Sequence, residues 1–459
     1  MKLKFKNLGV IKSGEIDLSK ELIILTGGNN TGKSYVSYLL YGLYRNWNNE
    51  NKNKFYKFTS KYIEEVENSY PNVKLKINFK ENLKLIINEF VKSIESNLTD
   101  RFHSLFSSKQ INPITNLFVS ENQLNQTYES IISLNASFFV DYMERVNFSV
   151  KEGIALYEGK YNKEISKDFA ITLSKDQIID TIIYYIIERI GFSPNLSPVN
   201  LYYKFFPAER SSINLFSKEI IQNKAKKLDE ISLLSEKERR KVRLTTNFPL
   251  PINDYLYFIN DLKDKDNYQS NYGYIADEIE TLIDGSVTLN EFDEIIFNPK
   301  NSKKQLDLHI SSSTVKSLSG LVFYFRYYAM KNDVIFIDEP ELNLHPDNQI
   351  KFARILAKII NNEIKMVIST HSDYIIKEFN NLIMLNNDKG GKLLKKLGYN
   401  KEYVIDNERI GAYYFPSGNN TVVQELQVSK TGISVESIDN TIDNQDYNGE
   451  TIYYTLFEK

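Results

Sequence analysis

The sequence predicts an α/β fold: a sheet assembled from the two ends of the chain, with a mainly helical insertion between them. Three observations carry this expectation. The apolar run Leu22 to Leu25 leads through a glycine-rich stretch into a helical pattern. Two further apolar runs, Val334 to Ile337 and Met366 to Ile368, each end in polar residues. Strand–helix alternation occupies both ends of the chain, and helical patterns lie between them.

Taken in order, residues 2–6 and 15–18 alternate and flank Gly9 and Gly14, the pattern of a β-hairpin edge. Leu22 to Leu25 reads as a buried strand. A helix is expected from about Gly32, because Val36, Leu39, Leu40 and Leu43 fall on one face at helical spacing. These elements make residues 1–50 the first part of a head. Residues 51–143 are polar and helix-leaning without sustained heptads, and read as a helical insertion. Within 144–210, strands are expected at Val146 to Val150, Phe169 to Leu173 and Tyr202 to Phe206, with a helix at 176–190. Residues 211–284 read as a charged helical arm. Residues 285–400 return to the head: a strand at Gln305 to Ile310, a helix near 315–330, then the two apolar strands. The tail, 401–459, mixes short strands with a final amphipathic helix. No internal repeat and no low-complexity linker is found.

Composition narrows the chemistry. The chain has 459 residues, and its 42% apolar and 25% charged residues are ordinary for a soluble globular protein. It has no cysteine, which excludes disulfides, thiolate metal sites and cysteine nucleophiles. Four histidines argue against a structural zinc site. A net charge of −2 gives no protein-wide field for nucleic acid, though local basic patches stay open. Lys2, Lys4 and Lys6 interrupt the N-terminal apolar residues, so no secretion signal is read there. Ile178 to Ile190 carries Asp180, Glu188 and Arg189 and reads as a buried helix, not a membrane span. A cytoplasmic location without membrane partners is the expectation.

Gly27-Gly28-Asn29-Asn30-Thr31-Gly32-Lys33-Ser34 fits the G-x-x-x-x-G-K-S phosphate loop, after an expected strand and before an expected helix. Gly27 and Gly32 permit the turn that points several N–H groups, including those of Asn29, Asn30 and Thr31, at phosphate oxygens. The helix start adds partial positive charge. Lys33 is expected to reach the β- and γ-phosphates of ATP, and the Ser34 hydroxyl to coordinate Mg²⁺. The bland alternative is a glycine-rich strand–helix turn with no ligand.

Val334-Ile335-Phe336-Ile337 ends in Asp338-Glu339-Pro340, and a buried strand delivering acids at its C-terminal end suits a doubly wound sheet. Asp338 is expected to hold Mg²⁺ and Glu339 to orient the attacking water. Taken alone, the pair also suits an exposed acidic turn. Met366-Val367-Ile368-Ser369-Thr370-His371-Ser372 repeats the pattern and sets His371 near a γ-phosphate; a capping or packing histidine is the alternative.

These residues carry a resemblance. The chain resembles the RecF/SMC-like branch of ABC-type ATPases, and within it the prokaryotic OLD-like "AAA family" that includes ATPase subunits of antiphage systems such as PARIS, Septu and some retrons. The matching stretches are 27–34, Pro207-Ala208-Glu209-Arg210, Asp338 through Pro346, and Ser369-Thr370-His371-Ser372. The resemblance covers both ends of the chain well and the middle poorly. It implies a P-loop ABC-type head, ATP hydrolysis, head-to-head homodimers or larger homo-oligomers, and a signature loop offered to the partner's γ-phosphate. Leu318-Ser319-Gly320 lies inside an apolar helical stripe and reads as a decoy. Ser312 and Ser313, at the helix start, are the expected signature residues. Glu209 and Arg210 follow an expected strand; they suit Mg²⁺, water or phosphate, or equally a structural ion pair.

An OLD-like nuclease would continue into a large metal-binding domain. The segment after His371 is shorter than that, and Glu402, Asp406, Glu408 and Asp439 are scattered. Three function classes remain: an ATP-driven sensor or scaffold controlling a separate effector protein (a nuclease or toxin), a RecF-type repair ATPase that binds DNA, and a transporter's nucleotide-binding subunit. The resemblance favours the first. The run Lys237 to Arg243 reads as a solvated helix face, with phosphate contact as the alternative.

Overall fold

The computed structural model describes residues 1–45, 49–67, 72–108, 110–119, 135–138, 143–151, 154–161, 175–176, 179, 203–232, 248–262, 270–434 and 447–454. The fold is mixed α/β. Its centre is a six-stranded sheet, and its elements are most easily followed along the chain.

An antiparallel hairpin, β1 (Lys2–Leu8) and β2 (Ile11–Asp17), precedes the strand β3 (Leu22–Gly27) and the helix α1 (Lys33–Tyr44). Then come α2 (Asn49–Thr59), β4 (Ile63–Glu67), β5 (Asn72–Asn78), α3 (Phe79–Asp100), α4 (Phe102–Phe106) and β6 (Ile114–Phe118). The middle supplies β7 (Asn135–Phe138), β8 (Met143–Lys151), β9 (Ile154–Tyr161) and β10 (Tyr203–Phe206). Helices α5 (Arg210–Ser232), α6 (Leu250–Asn260) and α7 (Gly273–Thr281) lead to β11 (Gly285–Leu289), β12 (Ile295–Pro299) and β13 (Leu306–Asp307). The C-terminal part runs α8 (Ser313–Tyr327), β14 (Val334–Asp338), α9 (Pro346–Asn361), β15 (Lys365–Thr370) and α10 (Asp373–Leu385). It closes with α11 (Lys392–Leu397), β16 (Ile410–Phe415), β17 (Thr421–Val422) and β18 (Gln424–Leu426).

The central sheet has the order β10-β14-β15-β3-β16-β18, parallel except for the edge strand β18. Its inner strands are buried on both faces, which explains their continuous apolar runs. Alternate side chains go to opposite layers. Ile23, Leu25, Val334, Phe336 and Val367 pack with α1, while Leu22, Ile24, Ile335, Ile337 and Ile368 pack with α8 and α9.

Several expectations need correction. The stretch 51–143 carries strands as well as helices: β4 and β5 join the five-stranded antiparallel sheet β4-β5-β9-β8-β7, and β6 pairs with β1. Their partners lie far away in sequence, and lysines and glutamates interrupt their short alternation. Residues 401–459 do not form a separate tail, because β16 is an inner strand of the central sheet, parallel to β3. The strand expected at Gln305 to Ile310 is only β13, and Leu308–Ile310 is a 3-10 turn. Residues 447–454 are helical, but their side chains are exposed, so no packed apolar face exists there. The strand at Phe169 to Leu173, nearly all of the helix at 176–190 and the run Lys237 to Arg243 lie outside the described residues. Among the described residues, no helix is long and apolar enough to cross a membrane.

Leu318, Ser319 and Gly320 are fully enclosed within α8. Asn214 donates to the Ser319 hydroxyl and to the Lys316 carbonyl, while its own oxygen accepts from the Tyr255 hydroxyl. A Cβ at Gly320 would lie 2.2 Å from that Tyr255 oxygen. Tyr255 cannot retreat without losing its bond to Asn214. Gly320→Ala should therefore destabilise the protein by about 1–3 kcal/mol through overpacking. A thermal melt should show a midpoint lowered by a few degrees, with nucleotide affinity of the folded fraction unchanged.

Candidate active site at the edge of the central sheet

The site lies where β3, β14 and β15 end together. The phosphate-loop stretch leaves β3 and enters α1, and two of its glycines are dictated by geometry. Gly27 has φ 140°, and a Cβ there would sit 2.4 Å from the Phe415 carbonyl oxygen. Gly32 has φ 93°, and a Cβ there would meet Ile11 at 2.8 Å. Gly32 caps α1, which has no side-chain cap and no acid in its first turn, so its leading N–H groups remain available to an anion. The Thr31 hydroxyl donates to the Gly28 carbonyl at 2.9 Å and ties the loop across itself.

The Lys33 ammonium lies inside the loop and donates to the carbonyls of Gly27 (3.0 Å) and Gly28 (2.7 Å). Burial pulls its pKa down to about 8, against the opposing pull of Asp338, Glu339 and Glu341. Next to it, the Ser34 hydroxyl donates to Asp338 Oδ2 at 3.0 Å. The Ser369 hydroxyl donates to Asp338 Oδ1. Burial raises the Asp338 pKa, and the two hydroxyls oppose it; the charges of Glu339 and Glu209 add to the rise. A carboxylate beside a serine hydroxyl is a hard-oxygen donor set that suits Mg²⁺. A divalent cation there would also hold Asp338 ionised.

Glu339 has φ 49°, unusual for a residue with a side chain. Its N–H donates to the Ser369 carbonyl at 2.9 Å. Its carboxylate stands 3.4 Å from His371 Nε2, and this bond, ahead of opposing burial, lowers the Glu339 pKa. Glu341, which the sequence reading gave no role, is half-buried and fixes the neighbouring strand exit. It accepts from the Thr370 hydroxyl (2.9 Å) and the His371 N–H (2.7 Å), and burial raises its pKa. Its signal in the sequence was its place two residues after Glu339 in a stretch already singled out.

Asn29, Asn30, Thr31, Gly32, Lys33, Ser34, Asp338, Glu339 and His371 line one open cavity of about 590 Å³, with Val10 and Tyr35. Gly27 supports it from the loop's base. Ser312 and Ser313 do not line it. They begin α8, where Ser312 accepts from the Val315 N–H at 3.3 Å and both side chains are exposed. The turn after β14 is tied to this helix, since Thr314 donates to the Asn343 carbonyl at 2.7 Å.

Arg210 is a correction. It was expected to bind nucleotide, but its side chain is fully buried and does not line the cavity. Its guanidinium donates to four main-chain carbonyls: Pro207 (3.1 Å), Ser317 (3.2 Å), Asp338 (2.7 Å) and Glu339 (2.8 Å). Four of the five guanidinium N–H groups are thus taken up by the backbone. Glu209, beside it, is exposed. Of the scattered tail acids, Glu402 pairs with Lys358 and Asp406 caps a short turn, while Asp439 lies outside the described residues. Among the described residues no group of three or more acids and histidines is placed to hold a metal ion.

Comparison with known proteins adds one match over most of the chain: the family model described as "AAA ATPase domain" matches residues 1–376. No curated protein matches. Similar solved structures include an SmcHead bound to the C-winged helix domain of ScpA, at 12% identity and TM-score 0.36, covering 94% of this chain and 98% of that one. Another is an Smc head domain with an extended coiled coil bound to the C-terminal domain of ScpA, derived from Pyrococcus furiosus. It is 15% identical with TM-score 0.32, covering 97% and 98% of the two chains. The SMC head domain from Thermotoga maritima is 11% identical with TM-score 0.31, covering 93% and 98%.

The depressed Lys33 pKa has a measurable consequence. Below about 8 the ammonium is charged and available to phosphate; above it the unliganded protein holds a neutral amine. Phosphate binding then has to restore a proton, so affinity falls as pH rises, by at most about tenfold per unit for one proton. Titrations of Mg²⁺-ATP from about pH 7.5 to about pH 9.5 should show a rising dissociation constant, with a flatter profile in Lys33→Met.

Proposed function

The chain belongs to the AAA ATPase domain family, and from that premise we propose that it binds ATP with Mg²⁺ and hydrolyses it between two copies joined head to head. The observation that carries this reading is the convergence of Lys33, Ser34, Asp338, Glu339 and His371 on one cavity. In this reading the loop N–H groups and Lys33 hold the β- and γ-phosphates. Ser34 and Asp338 would hold Mg²⁺, which would neutralise phosphate charge. Glu339 stays ionised beside His371 and accepts a hydrogen bond from the attacking water, aligning it with the γ-phosphate. His371 donates toward the γ-phosphate from the end of the neighbouring strand β15.

The second copy enters because Ser312 and Ser313 begin an exposed helix end away from the cavity of their own chain. Offered to a partner's γ-phosphate, they would complete a composite ABC-type site. The proposed biological role extends the resemblance to antiphage ATPases: the dimer holds a separate effector, a nuclease or toxin, and releases or activates it when the heads change state. ATP can drive such a change only through different contacts in the two states, typically about 1–3 kcal/mol of coupling. DNA binding by a RecF-type repair ATPase is the competing role.

Glu339→Gln should bind ATP about as well as the wild type yet hydrolyse it slower by on the order of 10²–10⁴-fold, as loss of a positioned base does. Lys33→Ala should instead weaken ATP binding about ten- to hundredfold, the effect of one charge-assisted bond. Steady-state turnover with a fluorescent ATP analogue separates the two. Wild-type turnover in Glu339→Gln would remove Glu339 from the mechanism.

For the role, wild type and Glu339→Gln should each be co-expressed with every adjacent open reading frame. The expected outcome is one retained protein whose retention or toxicity differs between the two forms. A protein that purifies alone and binds duplex DNA tightly at physiological salt would favour the repair reading.

A further inference from the structure

We infer that Arg210 is a positioning residue: through main-chain carbonyls alone it holds the turn that aims the Glu339 carboxylate and keeps that turn in register with the start of α8. The inference rests on the proposed hydrolysis at Glu339 and gives that reaction a part outside the cavity.

The case begins with the conformation of Glu339. A left-handed φ is uncommon for a side chain of this length and persists where the surroundings over-determine it. Here both sides of the residue are held. Its N–H is bonded to the Ser369 carbonyl, and the carbonyls of Asp338 and Glu339 are both turned onto the Arg210 guanidinium. Two consecutive carbonyls facing one group hold the two peptide planes that flank the Glu339 Cα, and so the direction in which its side chain leaves the backbone. The same guanidinium reaches the Ser317 carbonyl, one turn into the helix that starts at Ser313. One turn along α5, Asn214 repeats the grip on α8 through the Lys316 carbonyl. Arg210 can do this because β10 runs parallel to β14, Phe206 opposite Ile337, which delivers α5 beside the Asp338–Glu339 turn.

Only arginine suits the position. Its planar fork presents donors in fixed directions to several acceptors, whereas a lysine ammonium is a single centre on a flexible stem. Arg210→Lys keeps the charge and most of the volume but cannot reach Ser317, Asp338 and Glu339 together. A loosened turn misplaces the carboxylate without touching nucleotide, so kcat should fall while ATP affinity holds.

The test uses the full-length protein as wild type, Arg210→Lys, Glu339→Gln and the double variant. Turnover is measured per nucleotide-binding-competent molecule, and ATP affinity separately, so that misfolded material is excluded from both. Arg210→Lys is expected to lower kcat by roughly ten- to hundredfold, the size of an ångström-scale misplacement, with ATP affinity within about threefold of the wild type. In the Glu339→Gln background the same change should cost almost nothing more, because the group it positions is already gone. Wild-type kcat in Arg210→Lys, or a loss in affinity that matches the loss in kcat, would overturn the inference. A full additive loss in the double variant would overturn it too, since Arg210 would then act independently of Glu339. A normal rate in Glu339→Gln would instead sink the hydrolysis reading itself, and the two failures are told apart by that single variant.

Discussion

The register of three parallel strands is the constraint from which the site follows. Asp338 at the end of β14 lies opposite Ser369 in β15, and Thr370 lies opposite Thr26 in β3. Chain segments separated by hundreds of residues therefore leave the sheet at one level and on one edge. A slip of one residue between β14 and β15 would move Asp338 out of reach of the Ser369 hydroxyl. It would also send alternate side chains into the wrong layer. The apolar alternation that divides Ile335 and Ile337 from Val334 and Phe336 thus fixes the chemistry as well as the core.

Around this edge the polar groups are buried and wired together. Asp338 is shared between two hydroxyls, Glu341 holds the exit of β15, and Arg210 holds the turn after β14. Buried polar groups are tolerable only when they are bonded in this way. Two of the perturbed groups shift toward their neutral forms, while His371 holds Glu339 ionised. Burial pulls Lys33 toward its neutral form, and it pushes Asp338 toward its own. Phosphates next to Lys33 and a divalent cation next to Asp338 would reverse both shifts, as the proposed binding of Mg²⁺-ATP requires.

How much of this was readable in the sequence depends on whether each feature is local. The phosphate loop was legible because Gly27, Gly32, Lys33 and Ser34 are contiguous and sit between a strand and a helix. The central strands were legible because burial on both faces leaves uninterrupted apolar runs. Strands β4 to β6 were not, since their alternation is diluted by charge and their pairing is long-range. The place of β16 beside β3 was hidden for the same reason: sequence order gives no hint that the sheet continues past β3 with a strand from the far end. Arg210 was singled out with a ligand and a structural ion pair as equal readings, and its partners are instead main-chain carbonyls. A charged residue after a strand can face a ligand or the protein's own backbone, and only the packing of α5 against α8 decides between them. Glu341 went unread because its partners are a threonine and a backbone N–H one strand away.

The central claim is that the site of one chain is completed by Ser312 and Ser313 of a second copy. The absence of cysteine from the sequence makes this directly measurable. Two single-cysteine proteins, Val10→Cys and Ser313→Cys, can be prepared in the Glu339→Gln background, mixed, and treated with a short thiol-specific cross-linker. Because each chain carries one thiol only, a bond between positions 10 and 313 must join two copies. A composite site predicts a covalent heterodimer that forms with Mg²⁺-ATP and not without nucleotide. The same yield with and without ATP, or none in either case while both variants bind ATP, would contradict it.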